Sequence, residues 1–239
     1  MHLFWILLAL LGSGTHPRQN SMSCSEAGQP GVFSKYSTEL CFQDIETQQR
    51  HLEIASPDGT ARYVVNGDQG QFYVRGKAIG SRYLVGNDED LIWSPDSHAV
   101  ITTICFSAEG MCSSDVSYID GRAKPLTPAV TRTIRHSFVS RHPARSHLAC
   151  GSAGDIVVAG LGWLDDNRAL FTAQIASSPH CGDDWGYFDV YVLSFPQGKI
   201  LHAYPMPEAL KRFRRFVGPG LRRDVPKLRQ KSVASLDAN

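Results

Sequence analysis

Apolar and polar positions alternate with a period of two through most of the middle of the chain, the spacing of antiparallel strands with one face on a core. Three stretches follow one pattern. In "ASPDGTARYVV" (55–65), "DLIWSPDSHAVITT" (90–103) and "GWLDDNRALFTA" (162–173) an apolar strand enters a turn and a β-branched or aromatic strand leaves it. Pro, Asp, Asn and Gly in the turns supply the backbone angles and side-chain caps that a tight reversal needs. A third strand follows each pair: "QFYV" (71–74), "DVSYID" (115–120) and "YFDVYVLSF" (187–195), the last leading through "PQGKI" to "ILHAY". The pattern predicts hairpins in series.

Helical periodicity is read in one place, after Pro207. Pro207 suits a first helical turn, Glu208 its N-terminus, and Gly218-Pro219-Gly220 its end. Leu210, Phe213, Phe216 and Val217 share a face, with Lys211, Arg212, Arg214 and Arg215 around it. The helix is expected to dock by its aromatic face, with a solvated basic tail beyond Leu221.

Self-similarity of this length points to propeller blades or a related array. "WSPDSHAVITT" and "ASPDGTARYVV" resemble the WSPDG-type repeat of the TolB-like and WD40-like β-propellers over roughly residues 50–202. The resemblance implies four-stranded antiparallel blades, with the SPDG turn joining two strands of each. The third copy keeps Trp163 and Asp166 but has Leu-Asp for Ser-Pro. Pro57 to Pro95 is 38 residues, one blade, whereas Trp93 to Trp163 is 70, with only "VSRHPARSHLAC" between them as a decayed copy. The expectation is an all-β fold: an incomplete or small propeller of three to four blades with a C-terminal amphipathic helix. A curved sandwich of blade-like hairpins is the alternative. The division expected is a leader over 1–23, a β-domain over 24–205 and a basic helix and tail over 206–239.

Composition adds a compartment. Leu3–Leu11 is an apolar run of signal-peptide length followed by Gly12 and Gly14, although no Lys or Arg precedes it. It predicts export to the periplasm or beyond; an uncleaved anchor and a buried strand are the competing readings. Cys24, Cys41, Cys105, Cys112, Cys150 and Cys181 all lie past it. They show no CxxC spacing and are read as oxidised staples rather than zinc ligands. Cys105 and Cys112 flank "FSAEGM", whose Gly110 suits a hairpin, so they are expected to face each other. Cys24 with Cys41 and Cys150 with Cys181 follow by elimination and proximity.

Net charge is +1, which removes any bulk argument for nucleic acid. It is unevenly placed. Glu208–Asn239 holds 9 basic and 3 acidic residues, leaving 15 and 20 for the rest, so an acidic body carries a basic end. Peripheral contact of that end with an anionic surface is one reading.

No GxSxG, HExxH, phosphate-binding glycine loop or calcium-loop pattern occurs, and no catalytic residue, metal or cofactor is expected. "RTIRHSFVSRHPARSHLAC" is read as a solvated loop, with a partner-binding surface through His136, Arg141, His142 and Arg145 as its functional alternative. In "HCGDDWGYF", Trp185 and Tyr187 are the side chains nominated for a binding spot, against ordinary packing. Trp93 and Trp163 are expected in the core, and Asp165-Asp166 in turn capping. The expected function is an exported non-catalytic module that binds a protein or envelope partner, of the inhibitor or immunity kind. The alternative is a secreted hydrolase or metal-dependent enzyme using His136, His142, His180 and Asp183.

Overall fold

The computed structural model describes residues 33–41, 51–66, 69–84, 88–106, 111–119, 127–143, 156–175 and 186–223. Among these residues twelve strands form three four-stranded antiparallel sheets. The first is a meander of β2 (His51–Ala55), β3 (Ala61–Asn66), β4 (Gln69–Val74) and β5 (Lys77–Leu84). The middle sheet has the order β1 (Thr38–Cys41), β6 (Asp88–Trp93), β7 (Ala99–Phe106) and β8 (Met111–Tyr118). The third meanders through β9 (Ile156–Asp165), β10 (Arg168–Ile175), β11 (Phe188–Ser194) and β12 (Lys199–Pro205). The all-β, blade-like expectation holds.

The repeated phrase is a repeated turn. Between β2 and β3, Ser56 N–H donates to Ala61 O (2.9 Å), Ser56 Oγ donates to Asp58 Oδ1 (2.7 Å), and Ala61 N–H donates back to Ser56 Oγ (3.0 Å). Between β6 and β7 the same three bonds recur: Ser94 N–H to Ala99 O (2.8 Å), Ser94 Oγ to Asp96 Oδ1 (2.6 Å) and Ala99 N–H to Ser94 Oγ (2.9 Å). Serine both accepts and donates here, so each tight reversal keeps its polar groups satisfied. In the third copy Asp165 takes over, accepting from Asn167 N–H at 3.0 Å and from Arg168 Nε at 2.7 Å. The register slips there, so Trp163 faces Ala169 whereas Trp93 faces Val100.

The middle sheet is buried on both faces. Period-two alternation sends Leu91 and Val100 into a core with Tyr63, Val65 and Phe72 of the first sheet. Ile92, Ala99 and Ile101 point the other way, into the larger core with Val158, Leu170, Phe171 and Tyr191 of the third. Glycine permits the closest approach, because a Cβ on Gly160 would stand 2.5 Å from Ile101 Cγ2.

β9 ends its sheet, and an uncovered strand edge invites unwanted pairing. Here neighbouring side chains cover it. Arg135 Nε donates to Ile156 O (2.9 Å), Ser114 Oγ to Val158 O (3.0 Å), and Ser34 Oγ to Leu161 O (2.6 Å), while Gly160 N–H donates to Thr103 Oγ1 (2.9 Å). Trp163 Nε1 reaches Ile92 O at 3.3 Å, and its ring is buried as expected.

Two sequence expectations change. Thr127–Arg141 is a fifteen-residue helix, α1, rather than a loop or a decayed hairpin. Val130, Ile134 and Phe138 recur every fourth residue and seat it in the larger core, an apolar stripe enough to override the polar intervening residues. The C-terminal helix α2 (Met206–Phe213) forms as expected and starts with Pro207 in its first turn. However, Pro219 opens a further short helix, α3 (Pro219–Arg223), instead of ending α2. Phe216 and Val217, between the two, are buried as the apolar face requires. The N-terminal segment clamps them: Lys35 N–H donates to Phe216 O (3.0 Å) and Gly218 N–H to Phe33 O (2.7 Å).

Cys105 and Cys112 face each other across β7 and β8 and form a disulfide, with Cα atoms 4.1 Å apart. Cys24, Cys150 and Cys181 lie outside the described residues, and of Cys41 only the backbone is described.

Candidate functional site

The buried acid on β11 and the end of α1 meet at the third sheet. Asp189 sits in an otherwise apolar run, opposite Ala173 of β10 and Pro205 of β12. Its side chain is fully buried, which is costly for a carboxylate without partners. His142 Nε2 lies 2.8 Å from Asp189 Oδ2, and Arg141 Nε lies 3.2 Å from the same oxygen. Asp189 Oδ1 has no hydrogen-bond partner among the described residues.

Each side chain is placed by local structure. His142 N–H still bonds to Phe138 O at 3.1 Å, so the residue continues the last turn of α1. The imidazole packs beside Phe138 (4.9 Å between ring centres) and edge-on to Tyr187 (5.2 Å). Facing an oxygen that only accepts, Nε2 is the donor of this pair. Tyr191, two residues beyond Asp189 on the same strand, has its hydroxyl pushed above the ordinary tyrosine range, first by burial and then by the Asp189 charge.

The cluster offers an imidazole of fixed orientation beside a half-exposed guanidinium. It suits holding an anionic or hydrogen-bonding group, and it has two members of a proton-transfer relay. The hydroxyl of Ser140, at the end of the same helix, donates instead to His136 O at 2.9 Å.

The nominated residues divide. Arg141, His142 and Tyr187, taken from two distant stretches of sequence, come together. His136 is exposed on the outer face of α1 with Arg132 and Ser140, one and two turns apart. Tyr187 is buried against the rings, so it supports the site instead of presenting a surface. Arg145, Trp185, His180 and Asp183 lie outside the described residues. Arg135, within the same basic stretch, serves the fold: burial lowers its pKa, and its second nitrogen donates to Cys112 O at 3.0 Å. Among the described residues no three His, Cys, Asp or Glu side chains gather around one point. Asp189 escaped sequence reading, although an acid inside "YFDVYVLSF" is itself the signal.

No protein-family model matches the chain, and no curated protein matches it. Among solved structures it is similar to a prolyl endopeptidase (15% identity, TM-score 0.33, 65% of this chain and 20% of that one). It is also similar to Kuenenia stuttgartiensis hydrazine synthase (13% identity, TM-score 0.37, 80% of this chain and 53% of that one). The chain thus spans a fifth and about half of these proteins. At such TM-scores neither likeness carries an argument about activity.

Proposed function

We propose that the protein is an exported, non-catalytic module of the TolB-like and WD40-like propeller kind that binds a protein or envelope partner through the outer face of α1. The observation that carries this reading is the exposed stripe of Arg132 and His136 on the outer face of α1, a helix whose end is anchored by Arg141 and His142 on the buried Asp189 carboxylate. A face carried on an anchored helix loses less freedom on binding, so it is suited to recognition. The Cys105–Cys112 disulfide fits an oxidising compartment, and the apolar leader fits export into one. An inhibitor or immunity-type role belongs to this class.

The test is capture from envelope extract by the tagged full chain, repeated with Arg132→Glu/His136→Ala, which alters only exposed side chains. A partner retained by the unaltered chain and lost by the double variant is the expected result. Capture that ignores the double variant, or no capture at all, removes the proposal.

A second reading is favoured by one contact, the 2.8 Å His142–Asp189 pair, which is the arrangement of an oriented general base. It makes the protein a secreted hydrolase. It ranks second because no nucleophile joins the pair among the described residues. Turnover of ester or peptide substrates that is abolished in His142→Gln, with folding intact, would promote it.

A further inference from the structure

The N- and C-terminal ends of the described chain build a second surface, remote in sequence from α1. Ser34 and Val217 form an antiparallel bridge, which sets Lys35 and Tyr36 beside Arg215 and Phe216. Tyr36 is 54% exposed, the largest exposure among the described large apolar side chains, and its ring leans on Phe216 with centres 5.0 Å apart. Arg215 covers the Phe216 ring at 4.9 Å.

Among the described residues the charge on this surface is unpaired: Lys35, Lys211, Arg214 and Arg215 are all exposed, and none of them has an ion pair with a described residue. The acid of α2, Glu208, is taken by Arg212 at 2.8 Å. Arg222 donates to the Arg214 carbonyl at 2.6 Å, which ties the last helix to the same corner. Cations that could have been neutralised by a fold whose remainder is acidic are instead collected at one end.

We infer that this corner is a peripheral docking surface for anionic phospholipid headgroups. Three observations choose lipid over an acidic protein. The positive charge is spread over two chain segments, not converged on one acceptor. An exposed tyrosine lies among the cations, the pairing of aromatic and basic side chains found at bilayer interfaces. The sequence then continues with Lys227, Arg229 and Lys231, a basic extension of the kind that strengthens attraction to a negative leaflet. No helix among the described residues is long and apolar enough to cross a membrane. This inference does not depend on the α1 reading.

The experiment is co-sedimentation of the full chain with phosphatidylcholine vesicles, with and without about a third phosphatidylglycerol, at low salt. Insertion of apolar residues does not distinguish the two kinds of vesicle, so the quantity read is the difference between them. Each basic residue near the surface contributes about fivefold to partitioning, so Lys35→Gln/Arg214→Gln is expected to lower the anionic-specific part about 25-fold. Lys199→Gln, at the far end of β12 from α2, is expected to leave it unchanged, and high salt to abolish it. Equal partitioning onto both vesicles overturns the inference. So does a double variant that binds like the unaltered chain. Binding to soluble poly-glutamate with no vesicle partitioning overturns it in favour of an acidic protein. Thermal melts of both variants separate loss of binding from loss of fold.

Discussion

Ser97 holds a backbone conformation that its side chain resists. It occupies in the second SPD turn the place that Gly59 occupies in the first, and both have positive φ, 63° and 70°. A side chain in this left-handed region costs about 1–2 kcal/mol. The serine is retained with a specific contact, since Asp58 N–H of the neighbouring turn donates to Ser97 Oγ at 3.1 Å. Ser97→Ala keeps the strain and deletes that bond, so it is expected to lose about 1 kcal/mol. Ser97→Gly deletes the bond too, but it relieves the strain, offset by about 0.5–1 kcal/mol of greater freedom in the unfolded chain. Its stability is therefore expected within about 0.5 kcal/mol of the unaltered protein, above Ser97→Ala. Gly59→Ala supplies the converse: nothing stands within 4 Å of the added Cβ, so only strain is introduced. It is expected to cost about 0.5–1 kcal/mol once the entropic gain is subtracted. Urea unfolding at constant slope measures all three. The reasoning fails if Ser97→Ala is as stable as the unaltered protein, or if Ser97→Gly falls below Ser97→Ala.

Other consequences follow from the same contacts. Hydrogen bonds from Thr60 N–H and the Ser56 and Thr60 hydroxyls hold the Asp58 carboxyl well below its ordinary range. A lowered folded pKa gives stability that is present above the unfolded value of about 3.9 and is lost as pH falls below it. Asp58→Asn should accordingly lower the urea midpoint at pH 7, with the deficit shrinking toward pH 2. Thr103→Val removes the acceptor of Gly160 N–H and the hydroxyl 2.9 Å from Ser114, at an expected cost of about 1–3 kcal/mol in the same assay. Gly160→Val drives a side chain into Ile101 and is expected to lower stability by at least about 1–3 kcal/mol, read as a drop in Tm.

The parts of the fold written in local chemistry were legible in the sequence. Ser56 and Asp58, like Ser94 and Asp96, bond within their own turn, so the SPD hairpins announce themselves. The Cys105–Cys112 pair likewise needs only its own hairpin. α1 was hidden because its His and Arg residues draw the eye. Its period lies in Val130, Ile134 and Phe138, whereas His136 lies exposed on the outer face and His142 sits past the helix end against Asp189. β1 is four residues long and pairs with β6 some fifty residues away, a partnership no local pattern encodes. The site itself was half visible. Arg141 and His142 stood out, but Asp189, which fixes them, looked like part of a core strand.

Everything proposed for the exposed faces rests on one rigid scaffold, in which side chains of the middle sheet, α1 and the N-terminal segment close the open edge of β9. Residue-resolved hydrogen exchange at Gly160 tests that directly. Among the described residues no strand pairs on that side of β9, so its amide is protected there by Thr103 of β7, which accepts from it. Exchange as slow as that of the β10 amides, accelerated locally by Thr103→Val, is the outcome expected of stacked, interlocked sheets. Rapid exchange along 156–165 in the unaltered protein, with β10 and β11 still protected, would mean that the third sheet stands apart from the middle one.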